Sequence, residues 1–147
     1  MPQYSWKKEF LSLETDLYVD DKIIGNFYFG AFLKSYIELL ENNYTVKKIN
    51  IWSRVYEVYK NEEQTPIAKL TFPFWGLSAK IEYNNTVYKM TYRTSLFLFH
   101  FNVYHQNQSI YSYDASKYRG HIKVTEKEDP FLIMLGLYCH ARIRRNH

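Results

Sequence analysis

One stretch of this sequence, EKEDPFLIMLGLYCHARIRRNH, constrains the fold more than any other, because from Phe131 to Ala141 its only clearly polar side chain is His140. Asp129 suits a helix N-cap and Pro130 the first helical position, so a helix is expected over about 130–143. Arg142, Arg144 and Arg145 gather near its far end, where cations suit the negative pole of the helix dipole. Between those ends the apolar side chains cover the whole circumference. A helix apolar all round is buried all round. Whatever else the chain does, it must enclose this helix.

The rest of the chain offers strands to do so. Aromatic residues are abundant (15 Tyr, 10 Phe, 3 Trp) beside only 5 Gly and 4 Pro, a balance that favours a β-rich globular domain over a disordered chain. Short alternating runs separated by turn signals place strands near 4–10, 14–19, 22–29, 35–41, 44–50, 52–60, 66–72, 78–83, 86–93, 96–105, 108–113 and 118–125. In AKIEYNNTVYKMTYR, Ala79, Ile81 and Tyr83 share a face, as do Tyr88, Met90 and Tyr92, with Asn84-Asn85 in the turn. In SLFLFHFNVYHQNQSIYSY, Phe97, Phe99, Phe101 and Val103 share one face, and His100 and Asn102 the other. Further turns are expected at Asp20-Asp21 and Gln106-Asn107. Twelve antiparallel strands and one all-apolar helix suggest a single domain over 1–147, a closed mainly-β barrel with the C-terminal helix through its centre. Such a barrel is wider than the eight-stranded kind that side chains alone can fill, so it needs a plug. Gly136 would let a strand or a bulky side chain approach that plug closely.

The strand pattern also repeats. LYVDDKIIGNFYF, VYKNEEQTPIAKLTF and VYHQNQSIYSYDAS share an apolar-Tyr pair, a polar turn, an isoleucine and then further apolar or aromatic residues. Each is followed by another alternating run, which suggests a unit of roughly 40 residues used three times, the last one cut short by the helix. Three Asn-x-Ser/Thr triplets, at Asn43, Asn84 and Asn107, each fall in an expected hairpin turn and are read as turn chemistry. No leader-like segment and no transmembrane run of about 20 apolar residues is seen. With Cys139 as the lone cysteine, a reducing, cytoplasmic setting is expected.

Trp6 and FLSL in the opening run, DLYVDDKIIG and the terminal DPFLIMLGLY together make the chain resemble the tubby C-terminal domain superfamily, in particular its small bacterial members. Phospholipid scramblases and the plant LURP-one-related proteins share that architecture. The resemblance implies a closed twelve-stranded barrel threaded by a hydrophobic C-terminal helix. The second Asp of the DD turn stands where glycine is commoner. The insertions and basic phosphoinositide pocket of eukaryotic tubby proteins have no counterpart here, nor does the scramblase palmitoylation stretch. The resemblance therefore carries over a fold and no functional residue.

Motifs for chemistry are sparse. His100, His105, His121, His140 and His147 form no metal-ligand spacing, so no metal is expected. There is no nucleophile elbow, phosphate-binding glycine loop or dinucleotide fingerprint, so neither a catalytic residue nor a cofactor is expected. Cys139, on the plugging helix, reads as packing. The net charge of +4 is mild and argues against a dedicated nucleic-acid binder. Of the basic residues, adjacent pairs such as Lys7-Lys8 and Lys47-Lys48 point to opposite faces of a strand. The candidate patch for an anionic ligand is Arg142, Arg144 and Arg145, where the helix leaves the barrel. The expected function is thus a non-catalytic binding or scaffold domain that engages an anionic membrane surface or a protein partner. The alternative is a carrier of a small apolar ligand, of lipocalin or fatty-acid-binding type, whose barrel would have to be empty.

Overall fold

The computed structural model describes residues 2–30, 34–74, 77–94 and 99–145. Its strands are β1 (Tyr4–Lys7), β2 (Glu14–Val19), β3 (Lys22–Phe29), β4 (Lys34–Leu39), β5 (Asn42–Lys48) and β6 (Val55–Lys60). They continue as β7 (Ala68–Thr71), β8 (Ser78–Tyr83), β9 (Thr86–Thr94), β10 (Phe99–His105), β11 (Gln108–Ala115) and β12 (Arg119–Val124), followed by α1 (Pro130–Arg145). Each strand pairs antiparallel with the next, and β1 closes the ring on β12 through Tyr4↔Ile122 and Trp6↔Gly120. Closure leaves no unpaired sheet edge. Inward positions alternate along each strand, as with Ile37 and Leu39 on β4 or Ala79 and Ile81 on β8, all buried.

The helix starts where the sequence indicates. Asp129 Oδ1 accepts the backbone N–H groups of Phe131 (3.0 Å) and Leu132 (3.4 Å), two of the donors that a helix start leaves open. From Phe131 to His140 every residue is buried. Phe131 packs on Tyr44 of β5 (4.7 Å between ring centroids) and Tyr83 of β8 (5.1 Å). Tyr138 meets Phe27 of β3 at 5.4 Å, while His140 stacks on Phe101 of β10 at 4.4 Å and meets Trp6 of β1 edge-on. A single helix that touches β1, β3, β5, β8 and β10 reaches strands all around the ring, which it can do only from inside. Gly136 is what lets β11 come close. A Cβ there would stand 2.5 Å from the Tyr113 hydroxyl, which donates to the Ile133 carbonyl at 2.9 Å.

The repeat has a structural trace. Strands β2 and β6 open successive four-strand stretches, and β10 opens the last stretch, three strands cut short by the helix. The pairing of β2 with β3 skips Ile24, and that of β10 with β11 skips Ile110 in the same way. Ile67 stands midway between them in the sequence, just before β7.

Three sequence expectations change. The turn between β4 and β5 is Leu40-Glu41, both at positive φ, and not the asparagines that follow. Asn42 and Asn43 instead extend the ladder (Leu39↔Asn42, Glu38↔Asn43), and the Asn43 carbonyl accepts the Asn61 N–H at 2.8 Å. Two non-glycine residues in the left-handed region cost roughly 1–2 kcal/mol each, and the added ladder pairs outweigh that local preference. Asn43 is therefore a strand residue. Second, β1 stops at Lys7: the Lys8 N–H goes to the Tyr118 carbonyl and the Ser12 N–H folds back to Glu9, leaving Phe10-Leu11-Ser12-Leu13 in a loop. Third, β6 starts at Val55, so Ile51 and Trp52 belong to a connection. The expected strand start at 96–98, with Phe97, and the side chain of Phe99 lie outside the described residues, as does His147.

Candidate functional site

An up-and-down ring sends alternate connections to opposite ends. The β2–β3, β4–β5, β6–β7, β8–β9 and β10–β11 turns and the start of α1 lie at one end; the β1–β2, β5–β6, β7–β8 and β11–β12 loops and the end of α1 lie at the other. The two ends differ chemically. At the turn end, Asp20, Asp21, Glu41, Glu62, Glu63, Glu126, Glu128 and Asp129 outnumber the cations of the same turns, Lys22, Lys60 and Lys127. At the loop end, Lys8, Arg54 and Lys117 join Arg142, Arg144 and Arg145; the acidic neighbours are Glu9, paired with Lys7 at 3.5 Å, and Glu14. This arrangement also follows the helix dipole, acid at its positive pole and base at its negative one.

The loop end is apolar as well as basic. Phe10 (70% exposed), Leu11 (84%) and Leu13 (68%) project from the β1–β2 loop, and Ile49, Ile51 and Trp52 (87%) from the β5–β6 loop. Phe74 and Leu77 add to them from the β7–β8 connection. Most of the large exposed apolar side chains among the described residues therefore collect at one end, and a clustered patch of that kind marks an interaction surface. Cations sit among them: Arg54 lies over the Phe74 ring at 4.4 Å, Lys117 over Tyr118 at 5.4 Å and Arg145 over Phe29 at 4.9 Å.

The three arginines singled out by the sequence have different fates. Arg142 is held in the wall: its Nη2 donates to Ser35 Oγ (2.8 Å) and Tyr138 Oη (2.7 Å), and its guanidinium covers Phe29 at 4.4 Å and Tyr56 at 4.9 Å. Arg144 and Arg145 instead border a groove of about 390 Å³ between the last helical turn and the β1–β2 and β11–β12 loops. Lys8 and Lys117 share its lip, and its depth reaches buried Trp6, Thr15 and His140. His140 is held well below its ordinary pKa, at about 3, first by burial and then by the Arg144 charge. Its Nδ1 shares a 2.7 Å hydrogen bond with the Tyr92 hydroxyl.

The remaining candidates are built differently. Cys139 is fully buried and its thiol pKa is pushed up by burial, which suits packing. A shallow outer-wall groove of about 650 Å³ holds Ser5, His121 and Asp114 as cross-strand neighbours. Asp114, however, bonds His100 at 2.6 Å, and among the described residues no hydrogen bond joins His121 to Ser5. No cluster of three or more metal-ligating side chains is found among the described residues, and no helix among them is long and apolar enough to cross a membrane.

Sequence reasoning missed the apolar loop residues, because FLSL and INIW alternate as a barrel wall does. The available signal was a cation or turn residue breaking each run: Lys8 before FLSL, Ser53-Arg54 after INIW. No protein-family model, curated protein or solved structure matches the chain.

Proposed function

We propose that the protein is a non-catalytic binding module that docks its loop end on an anionic lipid surface, as a distant tubby-like protein of the cytoplasm. The observation that carries this reading is the placement of exposed Phe10, Leu11, Trp52 and Phe74 beside Lys8, Arg54, Lys117 and Arg145 at one end, with a cluster of eight carboxylates at the other. Aromatic and aliphatic side chains partition into the headgroup region, and each nearby Lys or Arg adds about 1 kcal/mol on an anionic leaflet. The amines and guanidinium groups of this end hold anions and are poor proton-transfer groups at neutral pH, which supports binding over catalysis. A carrier with its ligand in the barrel lumen fits less well, since α1 packs on strands all around that space.

The test is co-sedimentation with phosphatidylcholine vesicles with and without phosphatidylglycerol. Binding is expected only with the anionic lipid, falling as salt rises because the Debye length shrinks to about 8 Å at physiological ionic strength. The double variant Ile51→Ser, Trp52→Ser should bind several-fold more weakly with an unchanged melting temperature, since both side chains are exposed. Equal, negligible association with neutral and anionic vesicles at low salt would overturn the reading in favour of a protein partner.

A further inference from the structure

The groove beside the last helical turn differs from the flat rim around it in having depth and an ordered change of chemistry with depth. Its lip carries four cations, Lys8, Lys117, Arg144 and Arg145, and among the described residues no carboxylate side chain lines it. Exposed Phe10 and Leu13 stand beside them at the rim, half-buried Phe29 lies further in, and the floor is formed by buried Trp6, Thr15 and His140. Phe10 closes one side by meeting Tyr118 edge-on at 5.9 Å.

A small hydrated anion would not go to the bottom of such a groove, because rings and methyl groups there offer nothing in place of its water. A wholly apolar molecule would leave the four cations unused. We propose that the groove binds one single-chain anionic amphiphile, its carboxylate or phosphate at the Lys8, Lys117, Arg144 and Arg145 lip and its hydrocarbon chain down toward Trp6 and His140. This rests on the lipid-docking reading, with which it shares the apolar loop and the cations, and gives that surface a stoichiometric ligand. The cavity of about 390 Å³ lies in the range of small-molecule sites, roughly 300–1,000 Å³. The anionic chain could come from the membrane or from the free pool, and the experiment separates these sources.

Calorimetric titration of the full chain would use dodecanoate and dodecyl phosphate below their micelle concentrations, with dodecanol and acetate as controls. Saturable one-to-one binding is expected for both dodecyl anions, at least tenfold weaker binding for dodecanol, and none for acetate. Ala141→Trp, which fills the groove from the helix side, should weaken dodecanoate binding at least tenfold. Leu13→Glu, on an exposed loop side chain, should do the same by repelling the head, and serves if the first variant fails to fold. If these variants also lose anionic vesicles, the occupant is a membrane lipid; if vesicle binding persists, it is a free amphiphile. Equal affinity for dodecanol and dodecanoate, or no saturable binding of either anion, overturns the proposal. In that case vesicle binding by the unaltered protein would leave rim docking standing, while its absence would remove both.

Discussion

His140 is the polar exception in the apolar helix, and its surroundings explain how a titratable ring is tolerated there. It stacks on Phe101, shares a hydrogen bond with Tyr92 and is kept neutral by burial, with a pKa lowered from 6.5 to about 3. In the unfolded chain the same imidazole binds a proton below about pH 6.5. Between those values the unfolded state holds more protons, so stability falls as pH falls through that window and levels off below it. The expected slope is roughly 1.4 kcal/mol per pH unit at most. His140→Leu should therefore flatten the acid limb of a plot of unfolding free energy against pH, read as wild type minus variant by urea titration. Parallel acid limbs would mean that His140 is solvated in the folded protein. None of this was visible in the sequence, where His140 counts only as an interruption; its partners are Trp6 on β1 and the cross-strand pair Tyr92 and Phe101 on β9 and β10, all far from it along the chain.

At the scale of elements, the helix and the ring were legible for different reasons. All-round apolarity, an N-cap at Asp129 and a basic last turn are local signals, and α1 runs over Pro130–Arg145 as they imply. Strand number was legible because alternation survives errors of a few residues at each end. The turn at Leu40-Glu41 and the loop at Phe10–Leu13 were not legible. Ladder pairing across the ring sets the turn, whereas the loop is diverted by the Lys8 bond to Tyr118 and the turn that Ser12 closes on Glu9. The helix also carries the clearest stability prediction. Leu135 is fully buried among strands, and Leu135→Asp would place an unpaired carboxylate there or expel the helix. A loss of several kcal/mol is expected against a typical total of about 5–15 kcal/mol, leaving little soluble folded protein by circular dichroism. A variant melting near the native temperature would show that the barrel stands without its helix.

For the whole molecule, the decisive property is a polarity that the net charge of +4 conceals. Acids and bases alternate along the chain because each crossing of the barrel passes from one end to the other, so only the closed ring sorts them in space. The resulting arrangement orients the protein in the field of an anionic surface, with the acidic turn end repelled and the basic apolar loop end attracted. Both terms favour the loop-down orientation, which puts the end of α1 and Arg145 nearest the lipid. Because the native Cys139 is buried, single cysteines placed at Ile51→Cys and Asn85→Cys can be labelled selectively with an environment-sensitive fluorophore. Ile51 projects from the loop end and Asn85 sits in a turn at the other. On vesicles containing phosphatidylglycerol the Ile51→Cys label should shift to the blue, and the Asn85→Cys label should not move. Added salt should reverse the shift over the range in which binding itself is lost. Equal shifts at the two positions would mean association without orientation, and the charge separation would then serve solubility rather than docking.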